Sequence, residues 1–245
     1  MIKVTLQSVT PYATLIPAIA AKVCYSGDPI ESIEEKLSFK DCRNLVTRVY
    51  SMGHKSILEH VSFTFLVSGV SRIATHQFVR HRHCTFHERS QRYVEVGKSE
   101  VVMPESIKKD PDHIDSFDYA VRVCTHLYEK LINKGVPAED ARFILPQGIE
   151  SQLIVTMNAA ELVHIARLRC CNRAQWEIRD VARKMVILAR EQFPVIFDKV
   201  GPSCYMDGRC PEGKMTCGKM KEVQEEYKTL RLGMISLDVL SGVGY

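Results

Sequence analysis

The sequence lacks the features that would mark a membrane-spanning, repetitive or Rossmann-type protein. It has no run of about 18 consecutive apolar residues, so no membrane span and no membrane partner are expected. It contains neither an internal repeat nor a low-complexity linker, which favours a single folded domain. No Gly-x-Gly-x-x-Gly follows a predicted strand, so a Rossmann dinucleotide site is not supported.

Composition narrows the class of protein further without choosing a function. With 45% hydrophobic and 25% charged residues, the 245-residue chain has enough apolar material for a core. Its formal net charge of +4 suits an anionic small molecule as well as nucleic acid. The nine cysteines are odd in number and scattered, which indicates reduced thiols in a cytoplasmic protein rather than a disulfide framework.

Hydrophobic periodicity predicts a mixture of helices and strands. The predicted strands cover residues 2–9, 61–67, 90–95 and 152–156, and the predicted helices cover 14–24, 31–52, 71–79, 112–133, 137–143, 158–170 and 173–193. Asn158 with Glu161 is typical of a helix N-cap and its capping partner. The pattern favours a single α+β domain.

One strongly basic segment, Arg80–Tyr93, stands out from this background. It holds four arginines and three histidines with little apolar content, so it cannot form a core element. The helix before it would carry Gln77, Arg80 and His81 on one face. Planar guanidinium groups suit bidentate binding of phosphate. A solvated basic face or a nucleic-acid-binding module remains the alternative, although aromatic residues are few here and no recognition motif is present.

Within this segment, Arg80-His81-Arg82, seven further residues and Ser90 resemble the signature of the flavin-dependent thymidylate synthases, and the signature continues into Gln91-Arg92-Tyr93. Other stretches agree in order along the chain: Gly53-His54 with Glu59-His60, Ala141-Arg142 with Leu145-Pro146, and Leu168-Arg169 with Ala174 to Ile178. The resemblance covers roughly residues 1–200. It implies a catalytic domain over 1–200 and does not extend to the last 45 residues. We expect 201–245 to be a Cys- and Gly-containing tail packed on the same domain.

The resemblance also implies a fold and a reaction. The fold would be a central, mainly antiparallel sheet flanked by long helices, in a homotetramer whose active sites lie between subunits. The reaction would make dTMP from dUMP, with methylenetetrahydrofolate as carbon donor and NADPH reducing bound FAD. Nucleic acid is then not an expected partner.

Site residues are carried over from the family by resemblance. Those implied in binding dUMP are Gln77, Arg80, Glu88, Arg89, Ser90, Gln91, Arg92, Arg142 and Arg169. Among them, Arg92 and Arg142 would take the phosphate with help from Ser90. Arg169 would be catalytic, because a fixed cation beside the uracil favours ionisation of N3. Ser90 is interpreted as a ligand and not as a nucleophile.

The residues implied in binding FAD are Ser56, Arg80, His81, Arg82, Glu88, Asn158 and His164, with His54 nearby. Two positions depart from the usual family pattern. Ala160 stands where many members carry a longer or charged residue, and His164 stands where asparagine is common.

The C-terminal cysteines are outside the resemblance. Cys204, Cys210 and Cys217 are spaced by six and seven positions in a Gly/Pro-rich stretch, and Cys171 could supply a fourth sulfur. The spacing is not that of a standard zinc knuckle. The prediction is therefore no metal and free or redox-active thiols, with a four-thiolate zinc site as the alternative.

Overall fold

The computed structural model describes residues 1–95 and 100–230, and a four-stranded sheet lies at its centre. The strands are β1 (Lys3–Val9), β2 (Ser62–Ser71), β3 (Cys84–Glu88) and β4 (Glu150–Asn158). They lie in the order β1-β2-β4-β3, and every neighbouring pair is antiparallel. The predicted fold class is confirmed.

The central pair, β2 and β4, shows the alternating burial of a sheet with one face on the core. Phe63 and Phe65 of β2 and Val155 of β4 are fully buried, and Phe65 lies opposite Val155. On the other face the hydroxyls of Thr64 and Thr156 are 2.9 Å apart. The alternation fixes the register, because a slip of one residue would move every aromatic ring off the core.

A bulge in β2 requires a glycine. The register against β4 shifts between Ser68 and Val70, and Gly69 between them has φ +73°. A Cβ at Gly69 would also collide with the carbonyl oxygen of Met1. Glycine is therefore needed here both for its backbone conformation and for the close approach of the N-terminal residue.

Eleven helices surround the sheet in the described ranges. They are α1 (Leu15–Val23), α2 (Ile30–Glu35), α3 (Phe39–Ser51), α4 (Arg72–Phe78), α5 (Pro111–Asn133), α6 (Ala138–Ala141), α7 (Ala159–Arg169), α8 (Trp176–Gln192), α9 (Pro194–Phe197), α10 (Ser203–Met206) and α11 (Met220–Thr229). Short 3-10 turns cover Ser56–His60, Arg142–Ile144 and Gly213–Met215. None of these helices is both long enough and apolar enough to cross a membrane.

The core lies between the sheet and α8, which packs against α7, β1 and β2. Ile178, Met185 and Ile187 of α8 are fully buried. Val223 and Tyr227 of α11 belong to the same hydrophobic cluster, so the described part of the predicted tail packs on this core. The proposed division at residue 200 stays a prediction.

Two predicted elements differ from the structure. The helix predicted over 31–52 is two helices, α2 and α3, and Ser38 begins the second with a capping box to Asp41. Residues 90–95, predicted as a strand, form none, and residues 91–93 are a turn. The strand in this part of the chain is β3 at Cys84–Glu88. Pairing with β4 selects Cys84–Glu88, and a single sequence does not reveal such a long-range backbone contact.

Candidate active site

The site begins at the junction of β2 and α4, where a buried carboxylate holds the first turn of the helix. Glu177, 2% exposed, accepts hydrogen bonds from the Ser71 backbone N–H at 2.7 Å and from the Ser71 hydroxyl at 2.6 Å. Gln175 donates a third bond to it at 2.9 Å. Ser71 in turn caps α4 by accepting from Ala74 N–H. This network orients α4 and the side chains that it presents.

One face of α4 borders an open cavity of about 560 Å³. The cavity contains four residues that the sequence predicts for dUMP binding, namely Gln77, Glu88, Gln91 and Arg142. Other residues of the wall were not predicted: Arg72, Ile73, Thr75, His76, Val79, Leu145, Pro146, Gln147 and Ile149. The wall is thus mixed, with polar groups set among apolar ones, as is common in small-molecule sites.

Glu88 is fixed in this cavity by two donors. Arg72 Nη1 lies 2.8 Å from its carboxylate, and the Ser151 hydroxyl donates to it at 2.7 Å. Both partners come from other elements, since Arg72 begins α4 and Ser151 lies on β4. A carboxylate held by two donors in a part-buried setting has a defined orientation and can accept from a ligand N–H or O–H.

Arg92 and Arg142 meet through one residue, Glu139. Arg92 pairs with the Glu139 carboxylate through both Nε and Nη2 at 2.8 Å, and Arg142 Nε donates to the Glu139 carbonyl at 3.0 Å. The bond to Glu139 raises the pKa of Arg92. Ser90 Oγ accepts from the Arg92 N–H at 3.2 Å. The two guanidinium groups and the serine assigned to the phosphate therefore lie in one neighbourhood.

A second group of polar residues centres on His81, which is only 5% exposed. Arg169 Nε donates to His81 Nε2 at 3.0 Å. On the opposite side of the ring, His81 Nδ1 lies 3.3 Å from the carboxylate of Glu161, a residue 7% exposed. The three side chains form a continuous chain of hydrogen bonds from α7 through the signature segment and back to α7.

These hydrogen bonds and the burial of the ring determine the protonation state of His81. Burial lowers the pKa of His81 to about 4, with Arg169 and His164 contributing in the same direction. The ring is therefore neutral at pH 7. Since Nε2 accepts from Arg169, the single proton must be on Nδ1, where it is donated to Glu161. Burial also lowers the pKa of Arg169, which stays a cation because of its high ordinary value.

The other predicted flavin residues are distributed around this group. The rings of His81 and His164 are 6.0 Å apart, and Asn158 caps α7 by accepting from Glu161 N–H. Arg80 Nη2 lies 3.4 Å from His76 Nε2, which lines the cavity described above.

Four other predicted site residues make no side-chain contact described above. Arg82 is exposed in the turn between α4 and β3, and Arg89 continues β3 through a backbone bond to Gln152. His54 and Ser56 are exposed at the start of a 3-10 turn that packs on α7.

His81, Glu161 and His164 also form a set whose ligand atoms all lie within 4.8 Å of one another. Both ring nitrogens of His81 already have partners, and the adjoining Arg169 cation disfavours a metal ion. We therefore assign no metal to this set.

Cys84 is the one cysteine within the signature segment. Burial, with a smaller effect of Glu161, raises the pKa of Cys84 to about 12. A protonated thiol is a poor nucleophile, so Cys84 is unsuited to attack a substrate.

The three tail thiols and Cys171 lie elsewhere. Cys171, Cys204, Cys210 and Cys217 line a cavity of about 70 Å³ beyond the C-terminal end of α7.

Sequence reasoning missed five residues that build the site: Arg72, His76, Glu139, Gln147 and Glu161. Glu161 was interpreted only as the capping partner of Asn158. Its N–H is capped as expected, but its carboxylate contacts His81. The unusual presence of a carboxylate among the apolar residues of α7 was the available signal.

Comparisons with known proteins agree with this geometry. The family model described as thymidylate synthase complementing protein matches residues 5–195. A flavin-dependent thymidylate synthase from Geobacter sulfurreducens is 44% identical over 232 residues, covering 94% of this chain and 100% of the relative. One from Thermococcus onnurineus is 41% identical over 241 residues, covering 95% and 98%.

A solved structure is also similar. The crystal structure of the UMP/dUMP methylase PolB from Streptomyces cacaoi, bound with 5-Br dUMP, matches with a TM-score of 0.70 at 28% identity. The match covers 81% of this chain and 94% of that one. The signature segment, the antiparallel sheet and these relatives lead to one conclusion: the chain belongs to the flavin-dependent thymidylate synthase family.

Proposed function

We propose that this chain makes dTMP from dUMP, with methylenetetrahydrofolate as carbon donor, FAD as bound cofactor and NADPH as reductant. The observation that carries the proposal is the convergence of Gln77, Glu88, Gln91 and Arg142 on one cavity, beside the family's arginine signature. Membership of the family supports the reaction and the use of a flavin.

The phosphate of dUMP would bind between Arg92 and Arg142. Both guanidinium groups are anchored on Glu139, one through the carboxylate and the other through the carbonyl. A dianionic phosphate competes well for Arg92, because the pair with Glu139 is about half-exposed and therefore weak. The Ser90 hydroxyl, bonded to the Arg92 backbone, adds a donor close to the same point.

The uracil would be activated by Arg169. Its guanidinium is held through Nε by His81, which leaves the two Nη groups to face a ligand. A fixed cation beside N3 lowers the pKa of that nitrogen, and the resulting charge increases the electron density at C5, the carbon that is to be methylated. Glu161 holds the His81 ring in the tautomer that accepts from Arg169, so it acts as a positioning residue.

The residues present fit a flavin dinucleotide. Arg80 and Arg82 are exposed cations on either side of the buried His81 in the sequence. The His164 ring on α7 lies 6.0 Å from the His81 ring, and Asn158 caps the same helix. FAD carries an anionic pyrophosphate and ring atoms that accept and donate hydrogen bonds, so this donor set is chemically suitable. When bound, FAD would supply hydride transfer, and the residues named here would hold and orient it.

The proposal includes a homotetramer with active sites between subunits. The long helix α5 supports it, because Tyr119, Val123 and Leu127 form an exposed apolar stripe at four-residue spacing. These side chains are 66%, 39% and 44% exposed, which is unusual for one continuous face. Light scattering coupled to size exclusion should give about four times the chain mass of 27.9 kDa.

The first test is the absorption spectrum of the purified protein before and after addition of dUMP. We expect an oxidised-flavin band at about 450 nm that shifts with dUMP, followed by dTMP formation once methylenetetrahydrofolate and NADPH are added. UMP is the matched control, since it differs only by the ribose 2′-hydroxyl. A protein that takes up no FAD, or that binds dUMP without making dTMP, would contradict the proposal.

A further inference from the structure

We propose that Cys171, Cys204, Cys210 and Cys217, named here the thiol cluster, bind one structural Zn²⁺ ion in a cavity that shares no lining residue with the cavity beside α4. Three of these residues come from the chain after α9, and Cys171 follows α7. All four line the same cavity, which is small, at about 70 Å³. Convergence of four of the nine cysteines on one cavity is the observation that carries the proposal.

The four sulfurs line one cavity but do not yet lie at coordinating distances. No three of the four sulfur atoms are within 4.8 Å of one another, whereas sulfurs in a tetrahedral zinc site are separated by roughly 3.8 Å. Binding therefore requires rotation of side chains. Cys171, Cys210 and Cys217 are only partly buried and have the freedom to rotate.

The surroundings suit a thiolate-ligated cation. The Arg173 N–H donates to Cys171 Sγ at 3.5 Å, and the Asn172 amide lies 4.0 Å from Cys217 Sγ. Such donors stabilise metal-bound sulfur. Four thiolates around Zn²⁺ leave a net charge of about −2, and Arg173 also lines the cavity, where its cation would offset part of it.

The segment that carries three of the ligands has little other structure. Between α9 and α11 the chain forms one four-residue helix and one three-residue 3-10 turn, with Gly208, Gly213 and Gly218 all at positive φ. Segments of this kind are commonly held by a metal or a disulfide. All nine cysteines are free thiols. A Zn²⁺ ion would tie the segment to the end of α7.

Zinc is preferred because four sulfur ligands in tetrahedral geometry suit it, and binding would release four protons as the thiols become thiolates. The test is metal analysis of full-length protein purified under reducing conditions and reconstituted with ZnCl₂. We expect about one zinc per chain in the wild type. Cys210→Ser and Cys217→Ser should each lose most of it. Cys24→Ser, which changes an exposed thiol directly after α1, should retain the zinc.

A second measurement does not depend on the folding of variants. Cobalt(II) added to the zinc-free wild type should give the sulfur-to-cobalt charge-transfer and visible bands of a tetrahedral thiolate site. Added ZnCl₂ should then bleach them. The proposal would be overturned if neither the bands nor bound zinc were found, or if zinc survived in the double variant Cys210→Ser/Cys217→Ser. A disulfide between two of the four cysteines in the freshly purified protein would overturn it as well.

Discussion

Arg169 Nε donates to His81 Nε2 across 3.0 Å, although the two residues are 88 positions apart in the sequence. The bond links the signature segment to the end of α7. It also places a permanent cation against a neutral, buried imidazole, so the orientation of the guanidinium depends on the tautomer of the ring.

Replacement of Arg169 by alanine should abolish most dUMP turnover while FAD stays bound. Loss of a fixed cation beside a developing charge typically costs about 100-fold or more in rate. The measurement is single-turnover dTMP formation together with the flavin spectrum. Arg43→Ala, at an exposed position on α3, is the matched control. Turnover within about threefold of the wild type would refute the assigned role of Arg169.

Glu161 should matter through hydrogen-bond acceptance more than through its charge. Glu161→Gln keeps an oxygen that can accept from His81 Nδ1, whereas Glu161→Ala leaves the buried Nδ1–H without its acceptor and the ring free to turn away from Arg169. We expect kcat to fall at least about tenfold in the alanine variant and to recover largely in the glutamine variant, with a smaller change in KM for dUMP. Equal losses in both variants would argue against tautomer control.

The arginines near Glu139 should determine recognition of the phosphate. Arg92→Ala and Arg142→Ala should each raise KM for dUMP by about 10- to 100-fold, because each removes a charge-assisted bond of about 1.5–3 kcal/mol. Inhibition by deoxyuridine, which lacks the phosphate, should change little. If both ligands weaken equally, these arginines do not bind the phosphate.

Glu177 should contribute mainly to stability. Glu177→Ala removes the acceptor for two groups of Ser71 and one of Gln175, so we expect the free energy of unfolding to fall by about 3 kcal/mol. Denaturant titration of Glu191→Ala, an exposed position on the same helix, provides the comparison. A difference below about 0.5 kcal/mol between the two variants would show that the buried network is energetically unimportant.

His81 should make the protein less stable in mild acid. Its pKa is about 4 in the folded chain and 6.5 in the unfolded chain, so the unfolded state binds more protons between these values. The contribution of His81 to the free energy of unfolding is therefore fully present above about pH 6.5. It declines as the pH falls towards 4, by up to about 1.4 kcal/mol per pH unit. In urea titrations at about pH 7.5, 6 and 5, the free energy of unfolding of His81→Gln should decline less steeply than that of the wild type. An identical slope in both proteins would exclude this group as the cause.

The sequence predicted the local features well because local patterns determine them. Asn158 was predicted as a helix cap and is one, and the helix predicted over 112–133 is α5, which begins one residue earlier and ends at the same residue. The predicted strand over 90–95 was wrong, because the alternation of Ser90 with Arg92 resembles a strand while the bonds to β4 are made by Cys84–Glu88.

The site could be predicted only as far as the signature extends. Nothing near Glu161 in the sequence indicates His81, since their contact spans 80 positions and forms only when α7 packs beside the turn after α4. For the same reason Glu139 gave no sign of its place between two arginines. Such contacts depend on tertiary packing, which a single sequence does not display.

The strand β3 explains why the signature has a fixed length. Between Arg82 and Ser90 the chain runs through Cys84–Glu88, whose side chains alternate between part-buried and exposed. Inserting one residue before Glu88 would reverse the side of the sheet on which its carboxylate lies, removing it from Arg72 and Ser151. An insertion of two residues would keep the side but would move the carboxylate about 7 Å along β4, away from the same two partners. The distance along the chain from the arginines to Ser90 therefore sets where Glu88 stands in the cavity, and it tolerates neither an odd nor an even change.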